Sequence, residues 1–158
     1  MPFTEANFEN AILEIFREQL GYDYVYGPEV ARDYAEPLFL EVLTEMLPQI
    51  NRGVAQEAID EAVARIRTHK SGTLVQKNER FTDMLQNGVE VTWFDGREQR
   101  TERVRLVDYD TPMRNRFTVA NQWTVEEHSV RRADLVVFVN GLPLVVVELK
   151  SPSREGTD

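Results

Sequence analysis

Residues 133–150, ADLVVFVNGLPLVVVELK, are the stretch that decides the fold. Two apolar runs, residues 135–139 and 144–147, stand on either side of the turn pair Asn140 and Gly141. Short runs rich in β-branched and aromatic side chains are typical of strands. Because successive residues are apolar, both faces of each strand are expected to be covered. The stretch therefore predicts two adjacent strands in the middle of a covered sheet.

Three charged residues stand at the ends of these two strands. Asp134 begins the first strand, and Glu148 and Lys150 end the second. Charged side chains are rarely buried unless they are paired or bind a metal. One interpretation is therefore a buried salt bridge without chemistry, in which Lys150 neutralises one acid, and spacing alone favours it. Placement favours a second interpretation, because one lysine cannot balance two converging carboxylates, which are the hard-oxygen ligands that Mg²⁺ prefers.

A metal site of this kind predicts hydrolysis of a phosphodiester. An Mg²⁺ or Mn²⁺ ion on Asp134 and Glu148 would polarise the scissile phosphate and lower the pKa of a water molecule. Lys150 is two residues from Glu148 on the same strand and so shares its face. Its ammonium group would orient that water and offset the charge that builds on the phosphate.

The turn between the two strands tests this interpretation. With a two-residue loop at Asn140 and Gly141, Asp134 would pair with Val147, and Glu148 would point to the other face. The site therefore requires a loop with an odd number of residues or a β-bulge. A three-residue loop at residues 140–142, with Gly141 at positive φ, is one way to meet that requirement.

Upstream of this stretch the chain is first helical and then extended. Periodic apolar residues predict helices at residues 5–20, 36–47, 54–68 and 74–85, with a short strand at residues 22–27. Thr4 is the expected N-cap of the first helix and Gly21 its end, and Pro48 and Gly53 are expected to interrupt the second. Alternating patterns predict strands at residues 89–94, 101–109 and 116–127. This order predicts one α/β domain over residues 1–158, a central mixed sheet flanked by helices.

Composition limits the possible classes of protein. The chain has 158 residues and no cysteine, which excludes disulfides, thiolate zinc sites and a cysteine nucleophile. Neither a membrane span nor a secretory signal is present in the sequence, so a cytoplasmic location is expected. A net charge of −9 is unusual for a protein that binds DNA by itself. Eight arginines precede or flank the predicted site and as a group could contact phosphates weakly, although a solvated strand edge or turn is the better interpretation of any single one: Arg97, Arg100, Arg103, Arg105, Arg114, Arg116, Arg131 and Arg132.

The stretch ADLVVFVNGLPLVVVELKSP closely resembles the nuclease segment of type I restriction enzyme motor subunits, a branch of the PD-(D/E)xK nucleases. Three further blocks resemble that family in the same order: FENAILEIFREQLGYDYVYG, LVQKNERFTDMLQNGVEV and RVRLVDYDTPMRNRFTVANQWTV. The resemblance implies a restriction-endonuclease-like fold and endonucleolytic cleavage of double-stranded DNA. Related repair or recombination nucleases, and a non-catalytic docking module with the same fold, remain as alternatives.

The resemblance also assigns residues and partners. It makes Asp134, Glu148 and Lys150 the catalytic set, adds the main-chain carbonyl of Leu149 as a metal ligand, and makes Glu9 a candidate ligand. A solvated acid on a helix face is an equally good interpretation of Glu9. Ala133 stands where proline is common, which affects only the entry to the strand.

The rest of the enzyme is expected outside this sequence. The chain lacks both the family's helix with a glutamine-and-tyrosine motif and a GxxxxGK[ST] loop, so we expect a C-terminally truncated fragment of a larger subunit. ATP would be bound elsewhere in that subunit. Methyltransferase and specificity subunits are the implied partners.

Overall fold

A computed structural model of the chain describes residues 4–68 and 71–150. The fold has two compact units, of which one comprises Met1–Phe39 with Arg116–Asp158 and the other Leu40–Asn115. We call them the sheet unit and the hairpin unit. The sequence of residues 151–158, SPSREGTD, is polar and has no helical or strand pattern, and it lies outside the described residues. No helix within the described residues is long and apolar enough to span a membrane.

The sheet unit begins with helix α1, Glu5–Glu14. The Thr4 hydroxyl accepts a hydrogen bond from the Asn7 N–H, which confirms the predicted N-cap. A π-helical turn, Ile15–Gln19, continues α1, and Gly21 follows at φ +69°. The helical stretch therefore covers the predicted residues, but its last part changes from an α to a π hydrogen-bonding pattern.

Four strands form the sheet of this unit, and their bounds are β1 Asp23–Tyr26, β4 Phe117–Glu126, β5 Val130–Val139 and β6 Leu142–Val147. Their order is β1-β4-β5-β6. The pairing of β1 with β4 is parallel, and the other two pairings are antiparallel. The sheet is therefore mixed, as predicted.

Helix α1 packs against one face of this sheet. Leu13 is buried with three strand residues, Val119, Leu135 and Val137. The half-buried side chains around them include Val147 and Leu149 of the last stretch. A second cluster is aromatic and consists of Phe39, Trp123 and Phe138, whose ring centroids lie 4.8–5.8 Å apart. These two clusters hold β5 rigidly in the interior of the unit.

The prediction that both apolar strands lie in the middle of a covered sheet is wrong for β6. Strand β5 is interior and pairs on both sides, whereas β6 is at the edge of the described sheet. Val145 is 49% exposed and Val146 61% exposed. An apolar run is equally compatible with an edge position, because hydrophobicity does not tell how many neighbours a strand has.

The hairpin unit contains helices α2 Leu40–Ile50, α3 Gln56–Thr68 and α4 Leu74–Asn87, and strands β2 Val89–Phe94 and β3 Gln99–Val104. Thr73 and Gln76 form a capping box at the start of α4. Each of three elements has a buried apolar face, which contains Leu43 in α2, Ile59 in α3 and Val91 in β2. The predicted third and fourth helices are confirmed.

Two predictions for this unit are wrong. Pro48 lies inside α2 rather than ending it. Its missing N–H costs one hydrogen bond, which is tolerated because Leu43 and Leu47 on the same helix are fully buried. The strand predicted at residues 101–109 ends at Val104, and Leu106 is buried in a loop instead. Among the residues that the structure describes, β2 and β3 pair with each other in a separate two-stranded sheet.

Candidate active site

The connection between β5 and β6 decides whether the two predicted carboxylates share a face. Val139 pairs with Leu142, so the loop contains only Asn140 and Gly141. Their φ angles of 50° and 81° are both positive, as in a type I′ hairpin turn. The Asn140 side chain accepts a hydrogen bond from the Arg116 N–H at 2.8 Å, which holds the turn in place. A three-residue loop is therefore wrong.

A β-bulge restores the pairing that the site requires. The register shifts between Val137 and Phe138, because Val137 pairs with Val145 while Phe138 pairs with Pro143. Leu144 is the extra residue. Beyond the bulge Leu135 pairs with Val147, so the next position along each strand brings Asp134 level with Glu148. The prediction of an odd loop or a bulge is confirmed through its second alternative.

Asp134 does not begin its strand as predicted, because β5 already starts at Val130 and Asp134 lies inside it. Its side chain joins β5 directly to the segment that carries Glu148 and Lys150. Its Oδ2 accepts a hydrogen bond from the Leu149 N–H at 2.7 Å, and its side chain is half-buried. Glu148 and Lys150 follow the last residue of β6, and both are exposed. Since Leu149 stands between them, this hydrogen bond places the Asp134 carboxylate beside the backbone that positions both charged groups.

The alternative of a buried salt bridge has no support in the geometry. Within the described residues, Lys150 forms no ion pair with Asp134 or Glu148. Glu148 and Lys150 are also exposed rather than buried, so neither needs neutralisation to remain in the fold. The three charged groups thus lie at one end of the sheet without cancelling one another.

The donor set of this site suits a small divalent cation. Mg²⁺ commonly takes one or two protein carboxylates and keeps water in its remaining positions. Asp134 Oδ2 accepts a hydrogen bond from the Leu149 N–H, and the carboxylates of Asp134 and Glu148 are the groups that would supply oxygen ligands to such an ion. In the described part of the chain, no three or more His, Cys, Asp or Glu side chains gather into a metal-binding group. An ion at this position would have two carboxylates, those of Asp134 and Glu148, as its side-chain ligands.

Glu9 has a different environment from the one predicted for it. It is half-buried, and Asn121 Nδ2 donates to its Oε1 at 2.7 Å. Gln122 Nε2 donates to its Oε2 at 3.1 Å. Glu9 is thus neither a member of a three-acid metal group in the described chain nor a freely solvated acid.

Asn121 and Gln122 are the residues near the site that sequence reasoning missed. The Asn121 Oδ1 accepts a hydrogen bond from the Tyr24 hydroxyl at 3.0 Å, and burial raises the pKa of that hydroxyl. Gln122 adopts φ +55°, a left-handed conformation that is rare for a residue other than glycine. The sequence of β4 gives only a weak signal for this kink, namely two adjacent amide side chains in an otherwise apolar strand.

Most of the eight arginines proposed as weak phosphate contacts are engaged with acids. Five form ion pairs of 2.6–3.8 Å with nearby carboxylates: Arg100, Arg103, Arg105, Arg114 and Arg116. Arg131 and Arg132 are exposed on β5 and form no ion pair with another described residue. Of the eight arginines, these two are nearest to Asp134 in the sequence, with Ala133 between Arg132 and Asp134.

Comparison with known proteins gives a family match along the whole chain. The profile of the family described as "Type I restriction enzyme R protein N terminus" matches residues 2–158. That range includes both compact units and every residue of the candidate site.

Individual relatives agree with the family match. The chain is 37% identical over 151 residues to the Type I restriction enzyme HindI endonuclease subunit of Haemophilus influenzae, covering 89% of this chain and 14% of that protein. It is 30% identical over 159 residues to the Putative type I restriction enzyme MjaIXP endonuclease subunit of Methanocaldococcus jannaschii, covering 94% and 15% respectively. The chain thus spans about one seventh of the length of these relatives.

Proposed function

Because this chain belongs to the family of type I restriction enzyme R protein N termini, we propose that it is the nuclease domain of a type I restriction enzyme's motor subunit. Its reaction would be metal-dependent endonucleolytic cleavage of double-stranded DNA at Asp134, Glu148 and Lys150. The observation that carries this proposal is the bulge at Leu144, since it brings Asp134 level with Glu148. Without it the two carboxylates would point to opposite faces.

Each residue of the site has a distinct role in this proposal. Asp134 and Glu148 would hold Mg²⁺ or Mn²⁺, with the Leu149 carbonyl as a further ligand. When bound, the ion supplies Lewis-acid polarisation of the phosphate and a more acidic water. The Leu149 N–H fixes the direction of the Asp134 carboxylate through its 2.7 Å hydrogen bond. Lys150 would orient the attacking water and offset negative charge on the phosphate.

The charge of the chain suits a domain that receives DNA rather than one that captures it. At a net −9 the chain repels a polyanion overall, and most of the arginines considered are already paired with acids. Arg131 and Arg132 are the proposed phosphate contacts beside the site. We propose that an ATP-driven motor elsewhere in the full-length subunit, with methyltransferase and specificity subunits, delivers the DNA. A cytoplasmic location follows from this role.

Calorimetric titration of the full chain with Mn²⁺ tests the metal site. The expected result is saturable binding to the wild type and its loss in Asp134→Ala, because one of two carboxylate ligands is removed. Glu14→Ala, which removes an exposed acid from α1, is the matched control and should bind as the wild type does. Equal heats from the wild type and Asp134→Ala would remove the basis of the nuclease proposal and favour a docking module.

The role of Lys150 is tested in the assembled restriction enzyme. We expect Lys150→Ala to abolish double-strand breaks while ATP hydrolysis continues, because the lysine acts on the phosphate and not on the motor. Lys77→Ala, on α4 of the hairpin unit, is the control and should cut normally. Normal cutting by Lys150→Ala would show that the lysine has no catalytic role.

A further inference from the structure

Glu9, Asn121 and Gln122 form a cluster of hydrogen-bonded side chains that we call the carboxylate–amide clamp. The two amide groups each donate to a different oxygen of the Glu9 carboxylate, at 2.7 and 3.1 Å. Asn121 is only 8% exposed, and its side-chain oxygen Oδ1 accepts a hydrogen bond from the Tyr24 hydroxyl. The Glu9 carboxylate therefore joins α1 to β4, and the Asn121 amide oxygen joins β4 to Tyr24 of β1.

The backbone of Gln122 is held in a conformation that an extended strand does not provide. Its φ of +55° lies in the left-handed region, where a side chain with a Cβ is strained. The Asn121 and Gln122 carbonyls lie close to Gly27. A Cβ added to Gly27 would lie 2.8 and 2.7 Å from their oxygens. Such strain persists only where surrounding contacts enforce it, and it is concentrated at functional sites.

The strained residue lies level with the candidate catalytic aspartate. Asn121 pairs with Leu135 and Trp123 pairs with Ala133, so Gln122 and Asp134 occupy the positions between these pairs. The kink in β4 is therefore directly beside the residue of β5 whose carboxylate must be aimed. Irregular strand positions next to active sites commonly redirect a neighbouring side chain.

We propose that Glu9 is a positioning residue for Asp134 and not a metal ligand. Its carboxylate holds the amides of Asn121 and Gln122, keeps Gln122 left-handed, and so sets the place of Asp134 on β5. Two observations favour this role over ligation. Both Glu9 oxygens already accept hydrogen bonds from β4. Glu9 also joins no three-acid group with Asp134 and Glu148, all three of which are described. The proposal rests on the proposed function for the identity of the ion.

Hydrogen exchange in the metal-free chain provides a reporter that needs no activity. The Leu149 N–H donates to Asp134 Oδ2, so its protection measures whether Asp134 is in place. We expect Glu9→Ala and Gln122→Gly each to increase the exchange rate of this amide about tenfold. The Val91 amide of the hairpin unit should be unchanged. Glu14→Ala is again the matched control and should leave both amides as in the wild type.

Thermal unfolding separates positioning from general damage. Glycine adopts a positive φ without strain, so Gln122→Gly should keep or raise the melting temperature while it loosens Leu149. Glu9→Gln retains one acceptor oxygen and should give an intermediate exchange rate. Unchanged Leu149 exchange in both Glu9→Ala and Gln122→Gly would overturn the proposal.

Mn²⁺ titration of the full chain distinguishes positioning from ligation. We expect Glu9→Ala and Gln122→Gly each to weaken Mn²⁺ binding about tenfold, as loss of a residue that supports a ligand does. The double variant should be no weaker than either single one, because both changes release the same clamp. Additive losses, with the larger one in Glu9→Ala, would instead make Glu9 a ligand and overturn the proposal.

The same titration separates this inference from the proposed function. If Asp134→Ala abolishes binding while the clamp variants bind as the wild type does, the inference fails and the nuclease proposal stands. If Asp134→Ala binds as the wild type does, the metal site itself fails, and Leu149 exchange alone then decides whether the clamp positions Asp134.

Discussion

The β-ladder of the hairpin unit is regular, whereas the sheet of the sheet unit contains irregular positions. In the hairpin unit, β2 and β3 pair over six consecutive positions without a shift, from Val89 with Val104 to Phe94 with Gln99. In the sheet unit, the ladder between β5 and β6 contains a bulge, and β4 contains a left-handed residue. The left-handed Gln122 lies level with Asp134, and the bulge determines which residue after β6 lies opposite Asp134. The comparison teaches that the fold departs from regular pairing where charged side chains must be aimed.

The charged side chains at the regular and the irregular ladder also differ in whether they form ion pairs. Arg100, Arg103 and Arg105 of the hairpin unit each lie 2.6–3.0 Å from a carboxylate. In the sheet unit Arg116 pairs with Asp23, but within the described chain Lys150 forms no ion pair with Asp134 or Glu148. Neutralised charges on a regular ladder suit a surface that only needs to be solvated. Charges that stay separate at the end of an irregular ladder suit a site that binds an ion and a phosphate.

Removing the bulge should have the largest effect on the difference between the two ladders. Deletion of Leu144 makes the β5–β6 ladder regular, so Asp134 would pair with Val147, and Glu148 would turn to the other face. We expect loss of Mn²⁺ binding by the full chain, measured by calorimetry. Leu144→Val keeps the extra residue and should bind as the wild type does. Wild-type affinity in the deletion variant would show that the bulge does not assemble the site.

Truncation of side chains should sharpen the contrast between the interior strand and the edge strand. Leu135 on β5 is fully buried, and Leu135→Ala should lower the free energy of unfolding by about 2–5 kcal/mol. Leu144 in the bulge is 38% exposed, and Leu144→Ala should cost less than about 1 kcal/mol. Urea unfolding measures both. Comparable losses would mean that β6 is as deeply packed as β5.

The turn of the regular hairpin should give the smallest effect, one that depends on pH. Hydrogen bonds from the Glu98 N–H and then from the Arg100 side chain lower the pKa of Asp95 from 3.8 to about 2. Because the pKa is lower in the folded state, the stabilisation is fully present above about pH 4 and is lost as the pH falls towards 2. The stability difference between the wild type and Asp95→Asn should shrink over that window. A carboxyl titration by NMR with a midpoint near 3.8 would contradict this.

Several features of the fold could be predicted from local patterns. Thr4 caps α1, Gly88 follows α4 at φ +78°, and the apolar runs on either side of Asn140 and Gly141 form strands. These features depend on backbone preferences and hydrogen bonds within a few residues of one another. The place of Pro48 inside α2 could not be predicted, because packing of the helix outweighs one missing hydrogen bond.

The candidate site was predictable only in part. Asp134, Glu148 and Lys150 stand out because charge interrupts an apolar pattern, and the need for an odd register follows from the period of two along a strand. The place of the bulge at Leu144, and the turn held by Arg116, could not be found this way. Glu9 was recognised as a residue of interest, but its hydrogen bonds to Asn121 and Gln122 depend on segments more than one hundred residues apart.

The sequence by itself determined where most helices and strands lie, which charged residues adjoin the two apolar runs, and that a two-residue turn alone would leave the Asp134 and Glu148 carboxylates on opposite faces. Tertiary structure decided that a bulge resolves this conflict, that β6 lies at the edge of the described sheet, and that Gln122 is left-handed beside Asp134. The physical reason is range. Backbone propensity and side-chain alternation act between near neighbours, whereas strand register and enforced strain arise only when distant segments pack together.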